Sequence, residues 1–520
     1  MKKAIKTIVV LLSFSFLGIY SCTDDLNVEP KVELTLEELL AQDPNAIEGI
    51  VSRLYASFAL SGPDGSGSSD IDDDAGESPF LRGIVNLQDF TADGMKNRWG
   101  DDGLDQLTTT SNWDGNNKFF RYLYNRIYYT IPQCNNLIDV LSSVSLEGTD
   151  LAKNEARFLR SLAYFYLIDS FGKGVLVTED DLGTSDPLPE STRLELFTYV
   201  ETELLEIEPL MPPSNGYGRA NTFVVDMLLA KLYMNAEVYI GQPKYDQASI
   251  YVNKIINEGG YQLATNFVQN FSGDNDNSPE IIFPLIADAV SSQSFGNTTY
   301  IVNGSLSSDT MPIEDFGALE GWQGHRASSA WYGLFGSSAS ELAASNDVRA
   351  SLFWTNGHNY EMTDYREWTD GYPSIKFRNT DYDVATSATS FSGTDFPLYR
   401  LADVYLMYAE LAVVHNAIGT DNNTALDLVN QVRTRSNANS ISSFELTEDF
   451  ILDERGRELN LEGHRRTDLI RFNKFTGGNY IWPWKGNTAA GTSIPDHYKL
   501  FPIPEQARGA NPNLTQNTGY

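Results

Sequence analysis

The 520-residue chain carries five histidines and two cysteines, so conventional metal and thiol chemistry has few places to sit. None of His325, His358, His415, His464 and His497 falls in an H-E-x-x-H pair, and C-x-x-C, G-x-S-x-G and G-x-x-x-x-G-K-[ST] are all missing. The densest chemistry lies at "EGHRRTDLIRF" (Glu462 to Phe472), where His464 stands between a carboxylate and two arginines. In the wider run "LDERGRELNLEGHRRTDLIRFNKF", acids and arginines recur three and four apart, as in Glu454 with Arg457 and Glu458 with Glu462 and Arg465. That spacing predicts one partly buried helix whose arginines pair with acids and cap neighbouring helix ends. His464 then belongs to the scaffold. A glycoside hydrolase needs only two carboxylates at the right separation, and no particular pair stands out among 70 acids. The expectation is a protein that is not an enzyme.

Binding chemistry is better represented. Trp99 in "KNRWGDDG" and Trp322 in "LEGWQGHR" are flanked by glycine and charge, which places both in loops. A rigid indole offers a flat apolar face suited to a pyranose ring, while neighbouring carboxylates, amides and arginines take the hydroxyls. Two acidic loops invite a calcium reading, "DNDNSPE" (Asp274, Asp276, Asn277) and "DIDDDAGE" (Asp70, Asp72, Asp74). Neither has the complete loop with its glycine and final glutamate, and the second reads as a solvated loop.

The elements that must position these residues are helical. In "KNEARFLRSLAYFYLIDSFG", Ala156, Leu159, Ala163 and Tyr166 line one face, and Gly172 stops the helix. "NTFVVDMLLAKLYMNAEVYIGQ" and "KYDQASIYVNKIINEGGY" predict two helices around Gly241 and Pro243, with alanines alternating with tyrosines as in tetratricopeptide-like pairs. "YRLADVYLMYAELAVVHNAIG" and "NTALDLVNQVRTRSN" predict another pair. Between the helical blocks, residues 61–78 and roughly 271–396 are rich in Gly, Ser, Asn and Asp, and the second is rich in aromatics; loops of that length are usually functional.

Residues 1–21 read as an export signal, with Lys2, Lys3 and Lys6 ahead of "TIVVLLSFSFLGIY". Cys22 then stands where a lipoprotein signal is cut and the new terminus acylated, leaving residues 22–520 as one mature domain. Cys134 has no partner once Cys22 carries lipid, so no disulfide is expected. Beyond the leader no apolar run is long enough to span a bilayer. The 37 basic and 70 acidic residues leave a formal net charge of -33, which disfavours nucleic acid and polyanionic glycans.

The blocks "EARFLRSLAYFYLIDSFGKGVLV", "FPLYRLADVYLMYAELAV", "ERGRELNLEGHRRTDLIRFNKF" and "FPIPEQARGANPNLTQNTGY" give the chain a resemblance to the SusD/RagB family of outer-membrane glycan-binding lipoproteins along its whole mature length. That resemblance implies a mainly α fold in which tetratricopeptide-like helix pairs carry long irregular loops. It also implies no catalysis, and a role in capturing oligosaccharides at the cell surface for a SusC-like TonB-dependent transporter. "GESPFLRGIVNLQDF", "DQLTTTSNW", "GQPKYDQASIYVNKII" and "NYIWPWKGNTAAGTS" are similar to the starch-binding member of the family. By that likeness, an arc of three aromatics falls on Trp99, Trp322 and Phe295, with phenylalanine replacing a tyrosine. A sugar-contacting arginine falls on Arg82, and an asparagine contact on Asp101 or Asp102. The likeness also places a structural calcium on Asp274, Asp276 and Asp395. Starch or maltooligosaccharide is the implied ligand. The Phe295 and Asp101 departures keep another neutral glucan, such as a β-1,3-glucan, as the alternative; a transporter lid with no affinity of its own is a further one.

Overall fold

The structure is a computed structural model that describes residues 36–43, 45–71, 74–144, 148–384 and 386–520. The leader, Cys22 and Asp72 lie outside the described residues. The chain divides into a short unit, Met1–Ile47, whose described part includes the helix Leu36–Gln42, and a large unit, Glu48–Tyr520.

The large unit is mainly helical, as expected. Its longer helices are α1 (Lys118–Ser143), α2 (Thr149–Ser170), α3 (Arg193–Ile207), α4 (Thr222–Met234), α5 (Tyr245–Glu258), α6 (Leu401–Val413), α7 (Asn422–Arg435) and α8 (Glu448–Leu459), followed by the shorter α9 (Arg465–Arg471). Neighbours in sequence pack as tetratricopeptide-like pairs, α1 on α2, α4 on α5 and α6 on α7, while α2 also meets α3 and α5 meets α6. The caps are legible in the sequence. Asn117, Asn221, Asp421 and Thr447 each accept the first free amides of their helices, and Thr192 with Glu195 closes a reciprocal box at α3. Helix α2 ends as read, with Gly172 at φ 74°. Among the described residues, no helix is long and apolar enough to cross a membrane.

Two helical expectations are corrected. The segment after Asn221 is broken at Asn235, whose side-chain amide donates to the Lys231 carbonyl at 2.9 Å; a separate short helix, Ala236–Ile240, follows and ends at Gly241. The Glu448–Arg471 run is likewise two helices rather than one. Leu461 (φ 66°) and Gly463 (φ 75°) turn the chain left-handed between α8 and α9. The buried Asp89 carboxylate accepts from both of their amides at 3.1 Å. A side chain at 463 would also strike Ile84, so glycine is required there.

The break redirects the charges. Arg457 still pairs with Glu454 on its own helix at 2.9 Å, but Arg465 forms a two-pronged pair with Asp93 at 2.7 and 2.8 Å. Glu458 and Glu462 both converge on Arg400, which also holds Glu280. Lys376 adds its ammonium to Glu462 at 2.5 Å. All of these groups except the half-buried Arg457 are buried. Such pairs are costly to break, because the surviving partner is left as an uncompensated charge. His464 sits in a separate buried cluster, with Nδ1 3.1 Å from the Lys231 ammonium, which pairs with Asp403 at 2.9 Å. Burial, then the Lys231 charge, push its pKa down to about 3, so it is a neutral scaffold residue.

Candidate functional site

Two short strands bring the loop tryptophans together. Strand β1 (Met95–Asn97) pairs antiparallel with β2 (His325–Ala327), Met95 opposite Ala327 and Asn97 opposite His325. Trp99 lies two residues beyond the end of one strand and Trp322 three before the start of the other, so the register delivers both to one end of the ribbon. Residues 322–324 are fixed from behind by the helix Thr298–Ser305. The amides of Trp322, Gln323 and Gly324 donate to the carbonyls of Asn303, Leu306 and Gly304 at 2.7–2.8 Å. Carbonyls at a helix end lack partners within the helix, and this segment satisfies them. Phe295 stands just before the same helix and is 38% exposed.

The three rings form a stepped arc. Trp99 and Trp322 have centroids 6.4 Å apart and planes at 53°. Trp322 and Phe295 are 6.3 Å apart at 48°. The Trp99 indole N–H donates to the Trp322 carbonyl at 3.0 Å, and the Trp322 indole N–H to Glu320 at 3.1 Å, so both planes are set by hydrogen bonds. Beneath Trp99 lie Tyr300 and His325, at 5.9 and 5.2 Å between centroids. His325 is fully buried, and burial, then the Arg82 and Arg326 charges, hold its pKa well below the usual range. It is a neutral ring in an aromatic stack. Gly324 lets Trp99 settle, because a Cβ there would lie 2.4 Å from the indole.

The polar surroundings are mostly acidic. Arg82 is only 7% exposed: its guanidinium lies 4.3 Å from the Tyr300 ring centroid, Nη1 donates to the Gly76 carbonyl at 3.0 Å, and Glu77 is its carboxylate partner. Asp101 is half-buried and close enough for its charge to help raise the Tyr300 pKa, whereas Asp102 is exposed. Gln323, in the left-handed region at φ 52°, donates through its side chain to Ser307 at 3.0 Å and Asp309 at 2.7 Å. The site thus offers flat apolar faces flanked by carboxylate and amide groups, a surface for neutral polyols.

Asp274, Asp276 and Asp395 each make hydrogen bonds within the protein. Asp395 accepts from the Tyr217 hydroxyl at 2.5 Å and the Ala287 amide at 2.8 Å, one bond on each carboxylate oxygen. Burial, then the charges of Asp276 and Asp288, push its pKa up to about 6. Asp274 accepts from the Tyr382 amide and Asp276 from Asn277, each at 2.8 Å. Among the described residues, no three His, Cys, Asp or Glu side chains gather to hold a metal ion. Asp70, in the other acidic loop, pairs with Arg126 at 2.7 Å.

Sequence reasoning missed the underlayer of Tyr300, His325 and Gly324, together with the role of Glu320. The one available signal was symmetry of texture: "GMKNRWG" and "GWQGHRA" each set a tryptophan beside a short run able to pair as a strand. A separate apolar cleft of about 400 Å³, lined by Tyr55, Phe58, Tyr217, Phe283 and Ile286 among others, shares no residue with the arc.

A family model described as the SusD family matches residues 279–520. The chain is 33% identical to the starch-binding protein SusD of Bacteroides thetaiotaomicron, over 97% of this chain and 96% of that protein. It is 24% identical to the SusD-like protein P38 of Formosa agariphila, over 92% and 95% of the two. Among solved structures, a SusD superfamily protein of Parabacteroides distasonis superposes with a TM-score of 0.72 at 22% identity, covering 92% of this chain and 99% of that one. Surface glycan-binding protein A of Bacteroides thetaiotaomicron, solved with laminarihexaose, superposes with a TM-score of 0.69 at 20% identity, covering 91% and 99%.

Proposed function

The chain belongs to the SusD family of glycan-binding proteins, and from that premise we propose that it captures starch or maltooligosaccharides at the cell surface and passes them to a SusC-like TonB-dependent transporter. The observation that carries the reading is the arc of Trp99, Trp322 and Phe295, each ring turned by about the same angle from the last. A platform that turns at every step suits a glucan that curves at every residue. Support for starch in particular comes from the 33% identity to the starch-binding relative across nearly the whole of both chains. Stacking with a few rim hydrogen bonds gives modest affinity, so long or cyclic oligomers, which cover more rings, are the preferred ligands. A formal charge of -33 fits a neutral sugar and not a nucleic acid. Acylation of Cys22 would hold the protein to the outer membrane. Metabolic palmitate labelling that persists in Cys22→Ala would refute that anchor.

A second reading, β-1,3-glucan, is favoured by one specific observation: a protein of the same fold was solved with laminarihexaose. Isothermal titration of the lipid-free mature protein with maltoheptaose, a cyclic maltooligosaccharide and laminarin separates the two. Heat with the α-glucans alone supports starch, and heat with laminarin alone moves the ligand to the second reading. Silence from all three refutes glycan capture by this arc.

A further inference from the structure

The arc does not end at Phe295. Phe391 stands 4.9 Å from it, centroid to centroid, with planes at 52°. The ring-to-ring angles along Trp99, Trp322, Phe295 and Phe391 are therefore 53°, 48° and 52°. We propose that Phe391 is a fourth stacking subsite, which extends the platform by one sugar beyond Phe295; this rests on the glycan-binding reading of the arc.

Its setting is that of a presented ring. Phe377 and Phe396, at either end of the same segment, are 3% and 0% exposed and belong to the core, whereas Phe391 is only half-buried. The backbone around it is held on both sides. The Phe391 carbonyl accepts from the Thr389 hydroxyl at 2.6 Å, the next amide, of Ser392, donates to Thr299 at 2.9 Å, and that of Gly393 to Asn379 at 2.7 Å. The Thr389 amide donates to the Gly317 carbonyl at 3.1 Å. Thr299 lies on the Thr298–Ser305 helix that also fixes Trp322, so one rigid element sets both ends of a four-ring surface. A ring held in place before binding loses little freedom on contact, which is what makes an aromatic useful to a weak, shallow site. The ligand class is a neutral oligosaccharide long enough to cover all four rings.

A buttress that merely props Phe295 would share this geometry but not its dependence on ligand length. Maltotriose is satisfied by Trp99, Trp322 and Phe295, while maltoheptaose reaches the fourth ring. The test is titration of wild type, Phe391→Ala and Phe391→Leu with both sugars; leucine keeps the packing volume and removes the flat face. The proposal predicts that both variants lose about tenfold in maltoheptaose affinity and less than about twofold for maltotriose. Equal losses for the two sugars, or a Phe391→Leu that binds maltoheptaose like wild type, would overturn it and leave Phe391 as a prop. A wild type that binds neither sugar would remove the glycan reading and the fourth subsite together.

Discussion

Gly324→Ala tests whether the pose of Trp99 matters as much as its presence. A Cβ at 324 would lie 2.4 Å from indole atoms Cε2 and Cζ2 and 2.9 Å from Nε1. The indole cannot yield inward, because Tyr300 and His325 lie beneath it and both are buried. It must lift outward, and in doing so it gives up the 3.0 Å bond from its N–H to the Trp322 carbonyl. Overpacking of this kind costs about 1–3 kcal/mol, and the lost hydrogen bond about 1 kcal/mol. Since the indole is only half-buried and can shift outward, the fold should lose no more than the lower part of that range. Binding should lose more, because the first step of the arc is no longer set: a drop of about tenfold in maltoheptaose affinity, the equivalent of ~1.4 kcal/mol. Titration calorimetry reads the affinity, and urea unfolding followed by tryptophan fluorescence reads the stability. Wild-type affinity in Gly324→Ala would refute the claim that the arc is pre-set by its underlayer.

Trp322→Ala removes the central ring and should cost about 2 kcal/mol, roughly thirtyfold in Kd, with unfolding unchanged; a loss below threefold would contradict the arc. Arg400→Met leaves Glu280, Glu458 and Glu462 buried without their shared cation and should lose about 3–5 kcal/mol in urea unfolding, against a contradicting loss under about 1 kcal/mol. His464 has a folded pKa of about 3, below its usual 6.5, so the unfolded chain binds the proton first on acidification. Stability must therefore fall as the pH drops through that window, by up to ~1.4 kcal/mol per pH unit from this residue. His464→Asn should show a shallower loss between pH 6.5 and 4.5, and an unchanged slope would refute the assignment. Because Asp274, Asp276 and Asp395 are engaged by Tyr382, Asn277 and Tyr217, millimolar calcium should leave the melting temperature where a chelator leaves it; a rise of several degrees with calcium would show that a cage forms.

Much of the scaffold was legible because local rules govern it. Apolar periodicity, the Asn, Asp and Thr caps and the Gly172 stop give most helix ends directly. The failures came where distant residues override local spacing. Arg465 and Glu458 sit seven apart in a run that looks like one helix, yet Asp89, some 370 residues away in sequence, holds the break that sends Arg465 to Asp93. The site was half legible. Trp99 and Trp322 declare themselves through glycine and charge beside an indole, but their meeting depends on a three-residue ribbon too short to announce itself. Arg82 was read as a sugar-contacting arginine. The structure lays it against Tyr300 and ties it to Gly76 and Glu77, contacts that the sequence reading did not include.

A crystal structure of the mature protein with maltoheptaose addresses the central claim directly. The account predicts successive glucose rings stacked face-on against Trp99, Trp322 and Phe295, with hydroxyls directed to the acidic rim. Sugar bound in the apolar cleft beside Tyr217 and Ile286 instead, with the three rings bare, would contradict it.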